Sequence, residues 1–506
     1  MSKASSRHAL PSAPTHKWQR VVAAYASSRF YRQGLDLLTA LARPRLLDPE
    51  LYGVWTLLKV IPEYATYHHL GSRTIARYRI PHHDARGERD AAETVASAAF
   101  SQSLATVLVL SGGLVACAAA LDVSIEFRVG LLAMAVLIVL QAVYEFYVTL
   151  LRATQHFHLV TRLQYIRATA GLLLTVALVY SLGIYGLFLA VVGTMAILLV
   201  WVSRRFRYTP GWRWDARLMR DLTLRGAPVM AMGLGLALTS TVDRFLIAGM
   251  LGTESLGYYG IATLAFGFLS QAPGAAREVV EPKLMRRMAD DPTAAAEQYF
   301  LRPTVNLAYG MPFLIGPVFF LLPVAVPVLL PRYESGVAAA QILSLGAHCY
   351  GLIYLLRMMV VAQGLQTLAA LLMPLGALVS LGAGAAAIRL GYGVEGVAAG
   401  SVLALVFLLL LLLTLVAWRL NPGPPRFGRH VAGIVAAIAL TDTVLPATFL
   451  LARRAPAPDW VSLPLGLACF TVVMLTVWTA ASRVLPLLER TPRLPRRRMT
   501  DNDSQQ

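Results

Sequence analysis

The sequence predicts an all-α, polytopic membrane protein of about 14 transmembrane helices, with two six-helix lobes related by a pseudo-two-fold repeat and two extra C-terminal helices. Hydrophobic residues make up 57% of the 506 residues, charged residues only 14%, and the mean hydropathy is +0.60. A soluble chain carries about a quarter of its residues as charged. Apolar stretches of about 20 residues, long enough to cross a bilayer, follow one another almost end to end.

These stretches define the elements in order. The predicted spans are 21–42, 51–71, 91–118, 129–150, 159–181, 185–202, 222–250, 255–280, 304–330, 336–362, 367–388, 394–418, 431–451 and 461–481. The corresponding division is a cytoplasmic N-terminal segment at 1–20, an N-lobe at 21–203, a cytoplasmic linker at 204–220, a C-lobe at 221–418, two further helices within 429–483 and a basic cytoplasmic tail at 484–506.

Orientation follows from the basic residues in the gaps between spans. Alternate gaps hold 29 Lys and Arg in one set and only 7 in the other, namely Arg43, Arg45, Arg128, Arg332, Arg389, Arg453 and Arg454. The positive-inside rule places the richer set in the cytoplasm. We therefore expect a multi-pass protein of the bacterial inner membrane with both termini cytoplasmic. Arg29, Arg32 and Asp36 interrupt the first apolar stretch, so we do not expect a cleaved signal peptide.

Composition excludes several function classes. The net charge of +18 comes from basic residues between apolar helices, which argues against nucleic acid as a partner. Cys117, Cys349 and Cys469 have no paired spacing, so neither a disulfide framework nor a metal site is predicted. No nucleophile elbow, phosphate-binding loop or zinc-protease helix occurs, and the gaps are too short for a catalytic domain. We expect a transporter without a cofactor rather than an enzyme.

A repeat relates the two halves at an offset of 204 residues, because LDPELYGVW at 47–55 aligns with LGTESLGYY at 251–259. The pattern ExxG before a helix is also a generic extracellular turn, but two basic matches further downstream favour a true repeat. Since an even number of spans separates the halves, they share one topology about an axis along the membrane normal. The matched positions are Leu47 with Leu251, Glu50 with Glu254, Gly53 with Gly257, Trp55 with Tyr259, Arg73 with Arg277 and Arg79 with Lys283.

Charges within spans predict a hydrophilic cavity shared by the lobes, because a charge in the bilayer must face protein or water. Helical spacing aligns Tyr25, Arg29, Arg32 and Asp36 on the first span; Tyr52, Trp55, Lys59, Glu63 and Thr66 on the second; Gln141, Glu145 and Arg152 on the fourth; Arg225, Thr239 and Asp243 on the seventh; and Tyr350, Tyr354 and Arg357 on the tenth.

These residue types suit an anionic ligand that carries sugar rings. Arginine binds phosphate through paired donors, and aromatic faces pack against sugars. The candidates for substrate binding are Arg29, Arg32, Lys59 and Arg357 for anionic groups and Tyr25, Trp55 and Tyr354 for sugar rings, and those for ion coupling are Asp36, Asp243 and Glu63.

A structural interpretation competes with this one. Arg32 with Asp36, Lys59 with Glu63, and Arg277 with Glu281 have the spacing of ion pairs that neutralise each other. Arg152, Arg225, Arg277 and Arg302 lie near helix ends, where snorkelling to the cytoplasmic interface explains them. His68, His69 and His348 are interpreted as packed polar residues.

Five segments, at 41–53, 69–78, 242–252, 256–259 and 329–334, resemble the polysaccharide transporter branch of the multidrug/oligosaccharidyl-lipid/polysaccharide exporter superfamily. The resemblance implies a flippase that moves polyprenyl-pyrophosphate-linked oligosaccharide across the inner membrane by alternating access, for O-antigen, capsule or exopolysaccharide biosynthesis. It implies lipid-linked oligosaccharide and membrane lipid as partners, with a glycan polymerase and glycosyltransferases nearby. His69 departs from the family pattern, where an acidic residue often precedes Leu-Gly.

Two alternatives remain open. A cation-coupled multidrug exporter of the same superfamily would need an acidic and aromatic site, whereas cations here are at least as numerous as carboxylates. A transport-inactive scaffold for glycan assembly enzymes would act through its basic cytoplasmic gaps, and substitutions in the cavity would then be silent.

Overall fold

The computed structural model describes residues 18–206, 210–288, 295–420, 424–455 and 458–489. Within these ranges the chain is helical, without strands, and the predicted fold class is confirmed. The predicted segment 1–20 and tail 484–506 lie largely outside the described residues. The helices are α1 Trp18–Leu46, α2 Pro49–Leu58, α3 Val60–Ala65, α4 Ser72–Ala85, α5 Arg89–Ala120, α6 Ile125–Ala153, α7 Phe157–Arg205, α8 Ala216–Thr239, α9 Val242–Met250, α10 Gly252–Leu269, α11 Gln271–Met288, α12 Arg302–Gly310, α13 Pro312–Leu329, α14 Val337–Ala362, α15 Gln366–Leu372, α16 Pro374–Arg389, α17 Gly393–Leu420, α18 Pro424–Arg454 and α19 Asp459–Glu489.

Ten helical segments of the described chain are long and apolar enough to cross a membrane. One of them, α7, holds two predicted spans, because Gly183 interrupts its helical backbone at φ 57°. A Cβ on Gly186 would overlap the Leu178 carbonyl, and a Cβ on Gly193 would touch the Leu174 side chain, so the two parts fold back on each other. The predicted spans outside these segments correspond to α1, to α2 with α3, and to α10 with α11, which carry the charges of the cavity.

The predicted repeat is visible as symmetric contacts between α2 and α10. A Cβ on Gly53 would overlap the Thr253 carbonyl, and a Cβ on Gly257 would overlap the Pro49 carbonyl, so each contact repeats the other at the offset of 204 residues. Lys59 Nζ donates a hydrogen bond of 3.1 Å to Thr263 Oγ1, and these two residues occupy equivalent positions in the halves. The pseudo-two-fold axis therefore runs between α2 and α10.

The first turns of α2 and α10 form what we call the closed end of the molecule. The Tyr333 hydroxyl donates to the Leu47 carbonyl at 3.0 Å, and its ring packs edge-on against Tyr52 at 5.6 Å. Arg45 donates to the Leu329 carbonyl at 2.6 Å. These bonds join the segments that enter α2 and α14 and seal the lobes together there.

Proline divides helices that line the interior. Pro62 has no N–H to donate to the Leu58 carbonyl, so one helical hydrogen bond is missing where α2 ends and α3 begins, on either side of Lys59. Pro273 follows the break at Ser270 between α10 and α11 in the same way. Polar side chains at these positions, namely Lys59, Glu63, Ser270 and Gln271, line the space between the lobes.

At the other end of the molecule the two flanks differ. On one flank a Cβ on Gly71 would overlap the Gly226 backbone, and Arg79 forms an ion pair of 2.6 Å with Asp221, so α4 and α8 pack tightly. By contrast, α1 and α11 border a space that Arg77 of α4 also lines, and a Cβ on Gly274 would meet no atom within 4 Å. We call this space the lateral opening.

Candidate functional site

Three connected cavities lead from the lateral opening to the closed end. The entrance cavity, of about 540 Å³, lies between α1 and α11 and shares Ser270, Gln271 and Tyr350 with a central cavity of about 380 Å³. The central cavity shares Trp55 and Lys59 with a third cavity of about 330 Å³ inside the N-lobe, which we call the side cavity. Side chains from both lobes line the central cavity, as the charged spans predicted.

The entrance cavity is basic. Its charged lining consists of Arg29, Arg32, Arg77 and Arg277 with a single carboxylate, Glu281. Glu281 is already bound to Arg277 through two hydrogen bonds of 3.0 Å, as the i, i+4 spacing predicted. The entrance therefore has a surplus of cations. Arg277 lines this cavity, and its interpretation as a residue near the cytoplasmic interface stays a prediction.

Tyr354 holds two guanidinium groups at the entrance. Arg277 lies 5.5 Å and Arg357 5.7 Å from the centre of its ring, both as cation–π contacts. Arg357 is only 9% exposed and does not itself line the entrance cavity. A Cβ on Gly233 would lie 3.3 Å from both Arg357 Nη2 and the Tyr67 hydroxyl, so Arg357 is packed where the lobes meet. Tyr354 thus orients arginines as well as lining the cavity.

The central cavity repeats this pairing of arginine with an aromatic ring. The Arg43 guanidinium lies 5.1 Å from the centre of Trp55, and both residues line the central and side cavities. Lys59 lines the same two cavities and donates to the neutral Thr263. The predicted candidates Trp55 and Lys59 therefore lie at the junction of the cavities.

Glu63 has a different partner from the one that its spacing suggests. It accepts from Arg244 Nη1 at 3.2 Å, across the boundary between the lobes, rather than pairing with Lys59. Lys59 donates to Thr263 instead, so both residues of the expected pair have their partners in the C-lobe. Glu63 is 46% exposed and Arg244 9%, so the pair joins a cavity wall to the C-lobe interior.

The acidic candidates occupy unlike environments. Asp36 lines the central and side cavities and lies 3.7 Å from Arg32 on α1. Asp243 is buried inside the C-lobe, where it accepts hydrogen bonds from the Tyr259 hydroxyl at 2.5 Å and from Ser401 at 3.3 Å. Asp243 lines none of the three cavities described.

Other predicted polar positions are scattered. Three residues form the predicted polar face of the seventh span. Thr239 is buried and donates a hydrogen bond to the Gly235 carbonyl, whereas Arg225 forms an ion pair of 2.7 Å with Asp221, away from Asp243. Gln141 lines the side cavity. The Tyr25 side chain lies outside the described residues.

The histidines are packed polar residues, as interpreted from the sequence. His68 bonds to Ser103 at 2.7 Å, His69 accepts from the Gly71 amide at 3.0 Å, and His348 bonds to the Ala308 carbonyl at 2.9 Å.

Sequence reasoning missed five cavity or interior cations: Arg43, Arg77, Arg167, Arg244 and Arg277. Arg43 was assigned to a gap because its predicted span ends at 42, whereas α1 continues to Leu46. Arg244 follows Asp243 directly and belongs to no charged face at helical spacing. The pairing of Arg73 with Arg277 in the repeat was the available signal that Arg277 has an interior role.

A family model described as polysaccharide biosynthesis protein matches residues 41–333, more than half of the chain. The chain belongs to this family. The match covers α2–α13 and so includes the helices that carry the central cavity and most of the entrance. No curated protein sequence matches this polysaccharide biosynthesis family member significantly.

Solved structures of transporters share the fold of this family member. The lipid II flippase MurJ in an inward closed conformation has a TM-score of 0.66 at 12% identity, covering 91% of this chain and 99% of that one. An inward-facing multidrug resistance MATE family transporter of the MOP superfamily has a TM-score of 0.64 at 13% identity, covering 77% and 94%. An outward-facing MATE transporter has a TM-score of 0.55 at 14% identity, covering 79% and 95%. The polysaccharide biosynthesis family member is therefore a multi-pass membrane protein with a transporter fold.

Proposed function

We propose that this protein is an inner-membrane flippase that translocates polyprenyl-pyrophosphate-linked oligosaccharide for surface polysaccharide biosynthesis. The observation that carries the proposal is a cationic cavity, bordered by α1 and α11, in a member of a polysaccharide biosynthesis family. A lateral opening lets a charged head group enter the protein while its polyprenyl chain stays in lipid. The relatedness in fold to a protein named lipid II flippase supports the same kind of substrate.

The pyrophosphate binds in the entrance cavity. Arg29 and Arg32 line this cavity and offer N–H donors to phosphate oxygens. Arg277 keeps its Nη1 donors for the same role, because Glu281 occupies its Nε and Nη2. Arg357 lies behind Tyr354 and adds positive potential in a low-dielectric setting. The sugars extend inward toward Trp55, whose ring gives them an apolar face. Asp36 and Glu63 line the central cavity as candidates for ion coupling, and Asp243 is a candidate site within the C-lobe.

Transport proceeds by alternating access. The paired glycines Gly53 and Gly257 hold the lobes together at the closed end while the lateral opening is accessible. Separation at the closed end and closure between α1 and α11 would carry the head group across. The excess of basic residues in one set of gaps supports an orientation in which the lateral opening and both termini are cytoplasmic.

A translocation assay tests this proposal. Replacing Arg29 and Arg277 together by Gln should lower transport of lipid-linked oligosaccharide in proteoliposomes by at least about 100-fold, since two charge-assisted contacts of about 1.5 kcal/mol or more are lost. Arg357→Gln should lower transport less, because Arg357 does not contact the pyrophosphate and contributes only its electrostatic potential. In cells, deletion of the protein should accumulate lipid-linked oligosaccharide on the cytoplasmic face of the inner membrane.

The matched control is Arg389→Gln, an exposed arginine in the last turn of α16, which should transport at the rate of the unaltered protein. Full transport by the Arg29 and Arg277 double variant would refute the entrance as the pyrophosphate site. Efflux of cationic drugs without movement of lipid-linked oligosaccharide would favour a multidrug exporter instead. Normal glycan assembly with a non-transporting cavity variant would favour a scaffold.

A further inference from the structure

The two inner cavities contain more cations than carboxylates. Glu63 is bound to Arg244 at 3.2 Å, and Asp36 is shared with Arg32 at 3.7 Å. Like charges repel strongly in a low-dielectric interior, so such a set is stabilised when an anion joins it. The cations that line the central and side cavities are Arg43, Lys59, Arg167 and Arg244, and the carboxylates are Asp36 and Glu63.

Two of these cations are held by neutral groups. Arg43 lies over the Trp55 ring at 5.1 Å, and Lys59 donates to Thr263 at 3.1 Å. Arg167 lines the side cavity with Arg43, close enough for their charges to interact. Neutral partners fix Arg43 and Lys59 in place, and Asp36 is a carboxylate that shares the side cavity with Arg43 and Arg167 while also pairing with Arg32. The positive charge of this cluster is thus available to a ligand.

The cluster is too far from the entrance for one pyrophosphate to bind both. Arg29 and Arg43 lie on the same continuous helix α1. Fourteen positions at 1.5 Å per residue separate them by about 21 Å along the axis. A second negative charge on the ligand is therefore needed to match the inner cluster.

We propose that Arg43, Lys59 and Arg167 form a second anion subsite, which binds the carboxylate of an acidic sugar several units from the pyrophosphate. This inference rests on the proposed function and defines its substrate class as glycans whose repeat unit carries a uronic acid or a similar acidic sugar. Neutral hydrogen-bonding groups suited to sugar hydroxyls line the same side cavity, namely Thr39, Thr66, Gln141, Thr175 and Thr194.

The test compares two matched substrates in proteoliposomes of the full-length protein. One is a polyprenyl-pyrophosphate-linked tetrasaccharide that ends in glucuronic acid, and the other ends in glucose. The unaltered protein should translocate the acidic substrate at least about tenfold faster, a difference of about 1.4 kcal/mol. The double variant Arg43→Gln with Arg167→Gln should lose this preference while its rate for the neutral substrate stays within about twofold. Arg43→Lys, which keeps the charge, should retain most of the preference.

Two controls separate this inference from the proposed function. Arg29→Gln should slow both substrates equally, because both carry the pyrophosphate. Binding of methyl glucuronoside, measured as a rise in unfolding temperature, should occur in the unaltered protein and disappear in the double variant. If glucuronoside binds in this way but neither lipid-linked substrate moves, the subsite is upheld and the flippase proposal fails.

Three results would overturn the subsite. One is equal translocation of both substrates by the unaltered protein. Another is an equal loss for both substrates in the double variant. The third is displacement of glucuronoside by inorganic phosphate at equal concentration, which would identify a general anion site or one for lipid phosphate.

Discussion

At the scale of single residues, Arg244 and Glu63 form one ion pair with unequal consequences. Arg244 is 9% exposed and lies beside the buried Asp243, whereas Glu63 is 46% exposed to the cavity. Arg244→Gln should cost about 3 kcal/mol or more in unfolding free energy, because it leaves a buried carboxylate without its cation. Glu63→Gln should cost less than about 1 kcal/mol, because water solvates the glutamate and Asp243 still accompanies Arg244.

Thermal unfolding of the purified protein measures both effects. Equal losses of unfolding free energy in the two variants would contradict the role of Arg244 as the cation beside the buried Asp243. Transport by Glu63→Gln would then report ion coupling separately from stability.

At the scale of elements, the packing of α2 against α10 depends on glycine. Gly53→Ala should destabilise the protein by about 1–3 kcal/mol, because the new methyl group meets a carbonyl oxygen that cannot move alone. Gly257→Ala should do the same by the symmetry of the contact. Both variants should also weaken the closed end, which is expected to raise reagent access from that side to a cysteine placed at Ser270.

Gly112→Ala on α5 is the matched control, since a Cβ there meets no atom within 4 Å. It should be neutral or slightly stabilising, because alanine favours a helix over glycine. The free residues Cys117, Cys349 and Cys469 must first be replaced for the access measurement. Unchanged stability and access in Gly53→Ala would show that α2 and α10 do not meet as described.

At the scale of the whole molecule, the difference between the two flanks defines the expected route of the ligand. Gly274 borders the lateral opening on α11 and has room for a side chain. Gly274→Trp should narrow the opening and lower translocation by at least about tenfold, without loss of folding, because the indole enters space that is empty of protein atoms. Translocation in proteoliposomes and the unfolding temperature provide the two readouts.

Gly249→Trp, at the exposed end of α9, adds the same indole at another open position and should leave transport unchanged. Equal transport by both variants would exclude entry between α1 and α11. A loss in both would indicate a general effect of bulk on the membrane protein.

Part of the site could be predicted from sequence because its signal is local. The faces of α1 and α2–α3 follow from helical spacing, and Asp36, Trp55, Lys59 and Glu63 all line the cavities. The contact between Lys59 and Thr263 could not be predicted in this way, because it joins residues 204 positions apart. Arg43 was missed for a geometric reason, since a hydropathy boundary ended its helix four residues too early.

The sequence by itself determined the membrane class, the order of the helices and the twofold repeat, because hydropathy and internal similarity are written along the chain. It also determined which residue types are available to a cavity. Only the tertiary structure decided that Glu63 pairs with Arg244, that Asp243 is enclosed in the C-lobe, and that α1 and α11 leave a lateral opening while α4 and α8 do not. The reason is that these contacts join residues far apart in the sequence, and periodicity along one helix does not encode them.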